Sequence, residues 1–262
     1  MQWRNLSGLA AGKSVTESHF ASAALRQWVK QIAARHRIAS VYVFSSAMAQ
    51  YLPLVASPEI RRVIDFVDLD SEKWRQYARH RKPPLRWIYD LEARRLSAYE
   101  RNMAQLASVN LFVTDGEAES FRRLAPESSA KVITIHNGVD IEYFSPDRAY
   151  ADPFKAGGRA IVFTGAMSYW ANEDAVTWFA MKVFPAIRQQ EPRAEFWIVG
   201  AEPGQAVKSL ARLPGITVTG TVPDVRPFLA HAAAVVAPMR IGRGIQNKIL
   251  EAMAMRVTPI SK

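Results

Sequence analysis

A regular alternation of short apolar runs with longer amphipathic stretches constrains this chain more than any other feature. Runs rich in Val, Ile and Phe lie at residues 41–44, 63–67, 109–114, 131–135, 160–164, 196–199, 216–219 and 234–237. Stretches with apolar residues at helical spacing lie at 23–35, 86–107, 117–124, 173–189 and 245–255. A parallel strand pair needs a crossover long enough to hold a helix. Strand, helix, strand in succession therefore predicts parallel sheets with helices packed on them. Runs such as Ala160-Ile161-Val162-Phe163 are apolar at successive positions, as expected of strands covered on both faces.

The alternation is interrupted once. Residues 145–158 hold Pro146, Pro153, Gly157 and Gly158 with no periodicity, which predicts a linker between two α/β domains, 1–144 and 159–262. Both domains read as shortened. Residues 1–40 supply helical pattern but no glycine-rich first strand-turn, and 257–260 reads as a strand just begun. The expectation is two Rossmann-like parallel-sheet domains, the first lacking its start and the second its end.

Composition narrows the class. With 49% apolar and 22% charged residues, the chain is globular rather than disordered. The absence of cysteine excludes disulfides and thiolate metal sites. No apolar run approaches the ~18 residues that span a bilayer. Residues 1–10 lack the layout of a signal peptide, so a cytoplasmic location is expected. Net charge is +10, shared between 21 Lys and Arg against 16 Asp and Glu in residues 1–150 and 13 against 8 beyond. That distribution has no basic tail of the kind that binds nucleic acid. No dinucleotide glycine fingerprint, phosphate-loop signature or hydrolase nucleophile elbow occurs. The five histidines show no metal spacing.

Residues 238–255 carry the most specific pattern. A strand ends at Ala237, a loop with Gly242 and Gly244 follows, and a helix begins. Glycines there let the backbone approach a ligand, and free amides at a helix start favour an anion. Arg240, Arg243 and Lys248 add positive charge, so a diphosphate fits the segment. Glu251, two turns in, can accept hydrogen bonds from paired sugar hydroxyls; a solvated glutamate on an ordinary helix is the alternative. Phe163-Thr164-Gly165-Ala166-Met167-Ser168-Tyr169-Trp170-Ala171-Asn172 reads as strand, glycine turn and helix start, with Asn172 as its candidate N-cap.

In the first domain, Asp65, Asp68 and Asp70 stand at the end of a strand, where they either rim a site or cap the helix beginning near Ser71. Between Lys73 and Tyr89 lie Lys73, Arg75, Arg79, Arg81, Lys82 and Arg86 with no acid, interleaved with Trp74, Tyr77, Trp87 and Tyr89. Basic residues among aromatics suit an anionic membrane, single-stranded nucleic acid or a solvated helical hairpin. The membrane is the expectation drawn, with no nucleic acid as partner.

The run Lys248-Ile249-Leu250-Glu251-Ala252-Met253-Ala254 resembles the signature of the retaining GT-B glycosyltransferases of the group 1, family 4 type. Gly244-Ile245-Gln246-Asn247-Lys248 before it is similar to the sugar transferases associated with PEP-CTERM and exopolysaccharide gene clusters. The resemblance implies a GT-B fold and transfer of a sugar, with retention, from a nucleotide-diphosphate donor to a hydroxyl acceptor. The acceptor would be a saccharide or lipid-linked, in making a bacterial surface glycan. It implies that Glu251 holds the donor ribose and that Gly165, Asn172, Gly242, Gly244 and Asn247 surround the nucleotide sugar. Arg243 and Lys248 would neutralise the leaving diphosphate, and Asp68 and Asp70 would face the cleft. No metal or other cofactor is implied. The family usually carries a second Glu eight positions before Glu251, where this chain has Arg243. A silent nucleotide- or partner-binding chain and a GT-B-fold nucleotide-sugar epimerase are the alternatives.

Overall fold

The structure, a computed structural model, describes residues 12–55, 57, 59–79, 81–154, 157–240 and 246–261. It divides into two compact units, Met1–His136 and Asn137–Lys262.

In the first unit, α1 (Val15–His19) and α2 (Ala23–Arg35) precede β1 (Ser40–Phe44). A 3-10 stretch (Ser46–Leu54) leads to β2 (Arg61–Val67). Helices α3 (Asp70–Arg79) and α4 (Leu85–Leu106) lead to β3 (Val109–Phe112). Helix α5 (Asp115–Leu124) and a second 3-10 stretch (Pro126–Lys131) lead to β4 (Val132–Thr134). The strands are all parallel and lie side by side in chain order. Crossovers between parallel strands are right-handed, so a sheet laid down in sequence receives every connection on one face. Val43, Ile64, Asn110 and Val132 share a register row on that face and are buried there with Leu52, Leu96 and Phe121. The opposite row is Phe44, Asp65, Leu111 and Ile133. Among the described residues no element covers it: Tyr42, Phe44 and Ile133 are 61, 63 and 47% exposed.

Buried glutamates secure the helix starts of this unit. Glu92 accepts from the Val15 amide at 2.6 Å, the Thr16 amide at 2.9 Å and the Thr16 hydroxyl at 2.8 Å. Two turns further along α4, Glu100 accepts from the Ser71 amide at 3.1 Å, and Glu117 accepts from the Leu69 amide. These carboxylates satisfy amides that a helix start leaves without partners. Burial pushes the Glu100 carboxyl up to about 8.

The second unit begins at Asn137, so it takes in residues 137–144, expected in the first domain, and residues 145–154 of the segment expected as a linker. Phe154 packs its ring against Trp197 and Phe228, and the Tyr150 hydroxyl donates to the Ser145 carbonyl at 3.0 Å. Then follow β5 (Arg159–Thr164), α6 (Trp170–Trp178), a π-helical turn (Phe179–Val183) and α7 (Phe184–Gln190). Next come β6 (Ala194–Val199), α8 (Gln205–Leu210), β7 (Ile216–Gly220), α9 (Arg226–Ala230), β8 (Ala234–Ala237), α10 (Asn247–Ala254) and β9 (Pro259–Ser261). The sheet is parallel with order β7-β6-β5-β8-β9. One face packs Phe163, Phe196 and Ile198 against α6, the π turn and α7; the other packs Val162, Val235 and Leu229 with Ala252 of α10.

The single helix expected over 173–189 is divided here. Pro185 has no amide to donate to the carbonyl four residues back, and the chain widens into the π turn just before it.

Candidate functional site

In an open parallel sheet, ligands bind at the carboxyl ends of the strands where the strand order reverses. In the second unit that point lies between β5 and β8. Helix α6 starts after β5 and α10 after β8, so two helix N-termini flank it.

Three glycines shape this edge. Gly165, Gly200 and Gly220 end β5, β6 and β7, all with positive φ. A Cβ on Gly200 would stand 1.8 Å from the Gly165 carbonyl oxygen, so the turn after β5 can lie against the end of β6 only if residue 200 has no side chain. A Cβ on Gly165 would stand 2.8 Å from Asn172 Nδ2 and 3.5 Å from Lys248 Nζ.

Lys248, the second residue of α10, turns into this turn and is only 8% exposed. Its Nζ donates to Asn172 Oδ1 at 3.2 Å and stands 4.2 Å from the centre of the Phe163 ring. Burial lowers the ammonium to about 8, against a partial upward pull from Glu251. One turn along, burial raises the Glu251 carboxyl while the charge of Lys248 lowers it. Asn247 accepts through Oδ1 from Asn137 Nδ2 at 3.0 Å. A buried ammonium holding one neutral acceptor beside a bare glycine turn has capacity for an anion, and diphosphate oxygens suit it.

Several expectations change in detail. Asn172 is not the N-cap of α6, a place taken by Tyr169; it is the helix's third residue. From there its Nδ2 donates to the Ala166 carbonyl at 2.9 Å, so the side chain braces the glycine turn from inside and presents Oδ1 to Lys248. Arg240 is not a free cation, because it is forked onto Asp174, with Nε 3.0 Å from Oδ2. Gly242, Arg243 and Gly244 lie outside the described residues. Asn137 and Phe163 are contacts that motif reading missed; the first lies 110 residues from its partner and the second reads as plain strand.

In the first unit, Asp70 opens α3, accepts from the Ser46 hydroxyl at 2.7 Å and lies 3.9 Å from Lys73. Asp68 is half-buried, and its carboxyl is raised by burial and the nearby Asp70, against a downward pull from Lys73. Among the described residues no three His, Asp or Glu gather in a way that could hold a metal ion. The basic segment separates into two parts. Trp74 turns inward, packed on the core and edge-on to Tyr77 and Tyr89 at 5.7 and 5.1 Å. Arg75 pairs with Glu72 at 2.9 Å. At the α3–α4 junction Trp87 is 66% exposed beside exposed Leu85 and Ile88, with Arg79, Arg81, Lys82 and Arg86 around them and Arg86 3.8 Å from Asp90. No helix among the described residues is long and apolar enough to cross a membrane.

Residues 158–262, most of the second unit, match the family of glycosyl transferases group 1. No curated protein matches the chain by sequence. Among solved structures, HepE (Alr3699) of Anabaena in complex with UDP and glucose superposes with a TM-score of 0.66 at 15% identity, over 91% of this chain and 62% of that one. The α,α-trehalose 6-phosphate synthase of Burkholderia multivorans superposes with a TM-score of 0.62 at 10% identity, over 90% and 59%. A glycosyltransferase of Rickettsia africae does so with a TM-score of 0.51 at 12% identity, over 86% and 79%. The fold is thus that of the GT-B glycosyltransferases, with two Rossmann-like domains. The chain spans less than two thirds of the length of the first two.

Proposed function

We propose that this chain is the larger part of a glycosyltransferase that takes a sugar from a nucleotide-diphosphate donor and passes it, with retention, to a hydroxyl acceptor in surface-glycan synthesis. The observation that carries the reading is Lys248: a buried ammonium beside Gly165 at the point where the second sheet reverses its strand order. The match of residues 158–262 to glycosyl transferases group 1 supports it. So does the complex of HepE with UDP and glucose.

In this reading the donor diphosphate lies over the Gly165 turn, where Lys248 neutralises charge as the sugar departs. Electrostatic stabilisation of this kind needs no protein nucleophile. Asn172 holds Lys248 in place, and Glu251 accepts the ribose hydroxyls. Charge-assisted hydrogen bonds are worth about 1.5–3 kcal/mol each. Glu251→Ala therefore lowers nucleoside-diphosphate affinity at least roughly tenfold with the melting temperature little changed. Calorimetric titration reads this directly, and equal affinity of the two proteins would remove Glu251 from the site.

The acceptor in this reading is lipid-linked and lies at an anionic membrane reached through Trp87, Leu85 and Ile88. Exposed apolar side chains ringed by Arg and Lys suit the headgroup boundary, each basic residue adding about 1 kcal/mol. Sedimentation with anionic vesicles is expected to carry the protein down and Trp87→Ser to reduce it; equal binding to neutral vesicles would rule the surface out.

A further inference from the structure

A groove of about 490 Å³ opens on the opposite edge of the second sheet from Lys248, at the amino ends of β6 and β7. Met181, Phe184, Pro185, Pro192, Leu213 and Ile216 contribute apolar lining. The volume falls in the range of small-molecule sites. The π turn before Pro185 supplies its outer lip by carrying Met181 outward.

Arg188 is the only charged residue that lines this groove among the described residues. Its guanidinium lies on Gly215, where a Cβ would stand 2.8 Å from Nε and 3.1 Å from Cζ. The Nε is shielded from water and has no hydrogen-bond partner. Buried donors in proteins are almost always satisfied, and leaving one unmade is costly. An apolar trough with a single guanidinium in its wall, one of whose donors lacks a partner, is complementary to a single alkyl chain with an anionic end.

We propose that the groove binds a fatty-acid-like carboxylate, the chain along the apolar lining and the carboxylate on Arg188. The ligand comes to the groove from solution. Among the described residues of this unit, Met181 is the one exposed large apolar side chain at the rim, too little apolar surface to enter a bilayer. The site shares no residue with the donor site, and its test does not depend on nucleotide binding.

Calorimetric titration with hexanoate, octanoate and decanoate below their micelle concentrations is the experiment, with 1-octanol as the uncharged match. Burying two further methylenes should tighten binding about fifteenfold per step until the groove is full. Octanoate should bind at least roughly tenfold tighter than octanol. Arg188→Met should bring octanoate to the level of octanol. Met181→Glu, at an exposed rim position that tolerates charge, should weaken octanoate more than octanol, because only octanoate is repelled by the new carboxylate as well as losing apolar contact; melting curves confirm that both variants fold. No binding, equal affinity along the chain series, equal affinity of acid and alcohol, or binding only to chains presented in anionic vesicles would overturn the proposal.

Discussion

The two sheets are built from the same strand-and-helix unit and differ in the order in which the strands are laid down. The first runs β1-β2-β3-β4 and the second β7-β6-β5-β8-β9. Sequential order places the crossover helices on one face and leaves Tyr42, Phe44 and Ile133 bare on the other. Reversed order covers both faces and splits the helix starts at β5 and β8, opening a crevice. The strand ends differ too. In the first unit Ser45 and Val67 hold positive φ with side chains in place, at some cost in strain; in the second, Gly165, Gly200 and Gly220 hold it without them. Ligand backbone or phosphate can lie close only against the second kind of edge.

The largest effect expected follows from that contrast. Gly200→Ala puts a Cβ onto the Gly165 carbonyl, backbone against backbone, and the β5–α6 turn must move. Nucleoside-diphosphate affinity should fall at least roughly a hundredfold, about 2.8 kcal/mol, and the second unit should melt lower. Val67→Gly in the first unit should leave nucleotide affinity unchanged. A binding titration on the two variants reads both outcomes, and equal losses would erase the difference between the edges.

A smaller effect sharpens the role assigned to Lys248. Its ammonium titrates near 8 in the free protein, and an anion beside it raises that value. Only the protonated form complements a diphosphate. Affinity is therefore full below pH 8 and falls as pH rises beyond it, by up to about tenfold per unit. Lys248→Met should bind more weakly at pH 7 and show no such fall. Stability of the unliganded protein runs the other way. The folded value lies below the ordinary 10.5, so the cost of burying the charge is relieved as pH rises from about 8 to 10.5.

Strands were legible because each is a short apolar run closed by turn residues, and each of the eight expected runs overlaps a strand. The Lys248–Glu251 helix was legible through its motif. Strand order was not, because nothing in residues 40–44 or 132–134 says which face a crossover will take. Nothing in the sequence around Glu92, Glu100 or Glu117 marks a distant partner; only the fold brings each to the start of a helix. Asn172 was placed at the right end of the right helix but in the wrong role, since a cap and a brace from the third position use the same residue type. Pro185 was visible in the sequence, yet its effect depends on the helix continuing on both sides of it.

The most direct measurement of the central claim is amide hydrogen exchange with and without a nucleoside diphosphate. The account predicts that ligand protects residues 164–172 and 246–252, the two segments that meet at the switch point, and leaves residues 40–70 of the first unit unchanged. Protection confined to residues 40–70, or none at the Gly165 turn under conditions where binding is saturated, would contradict it.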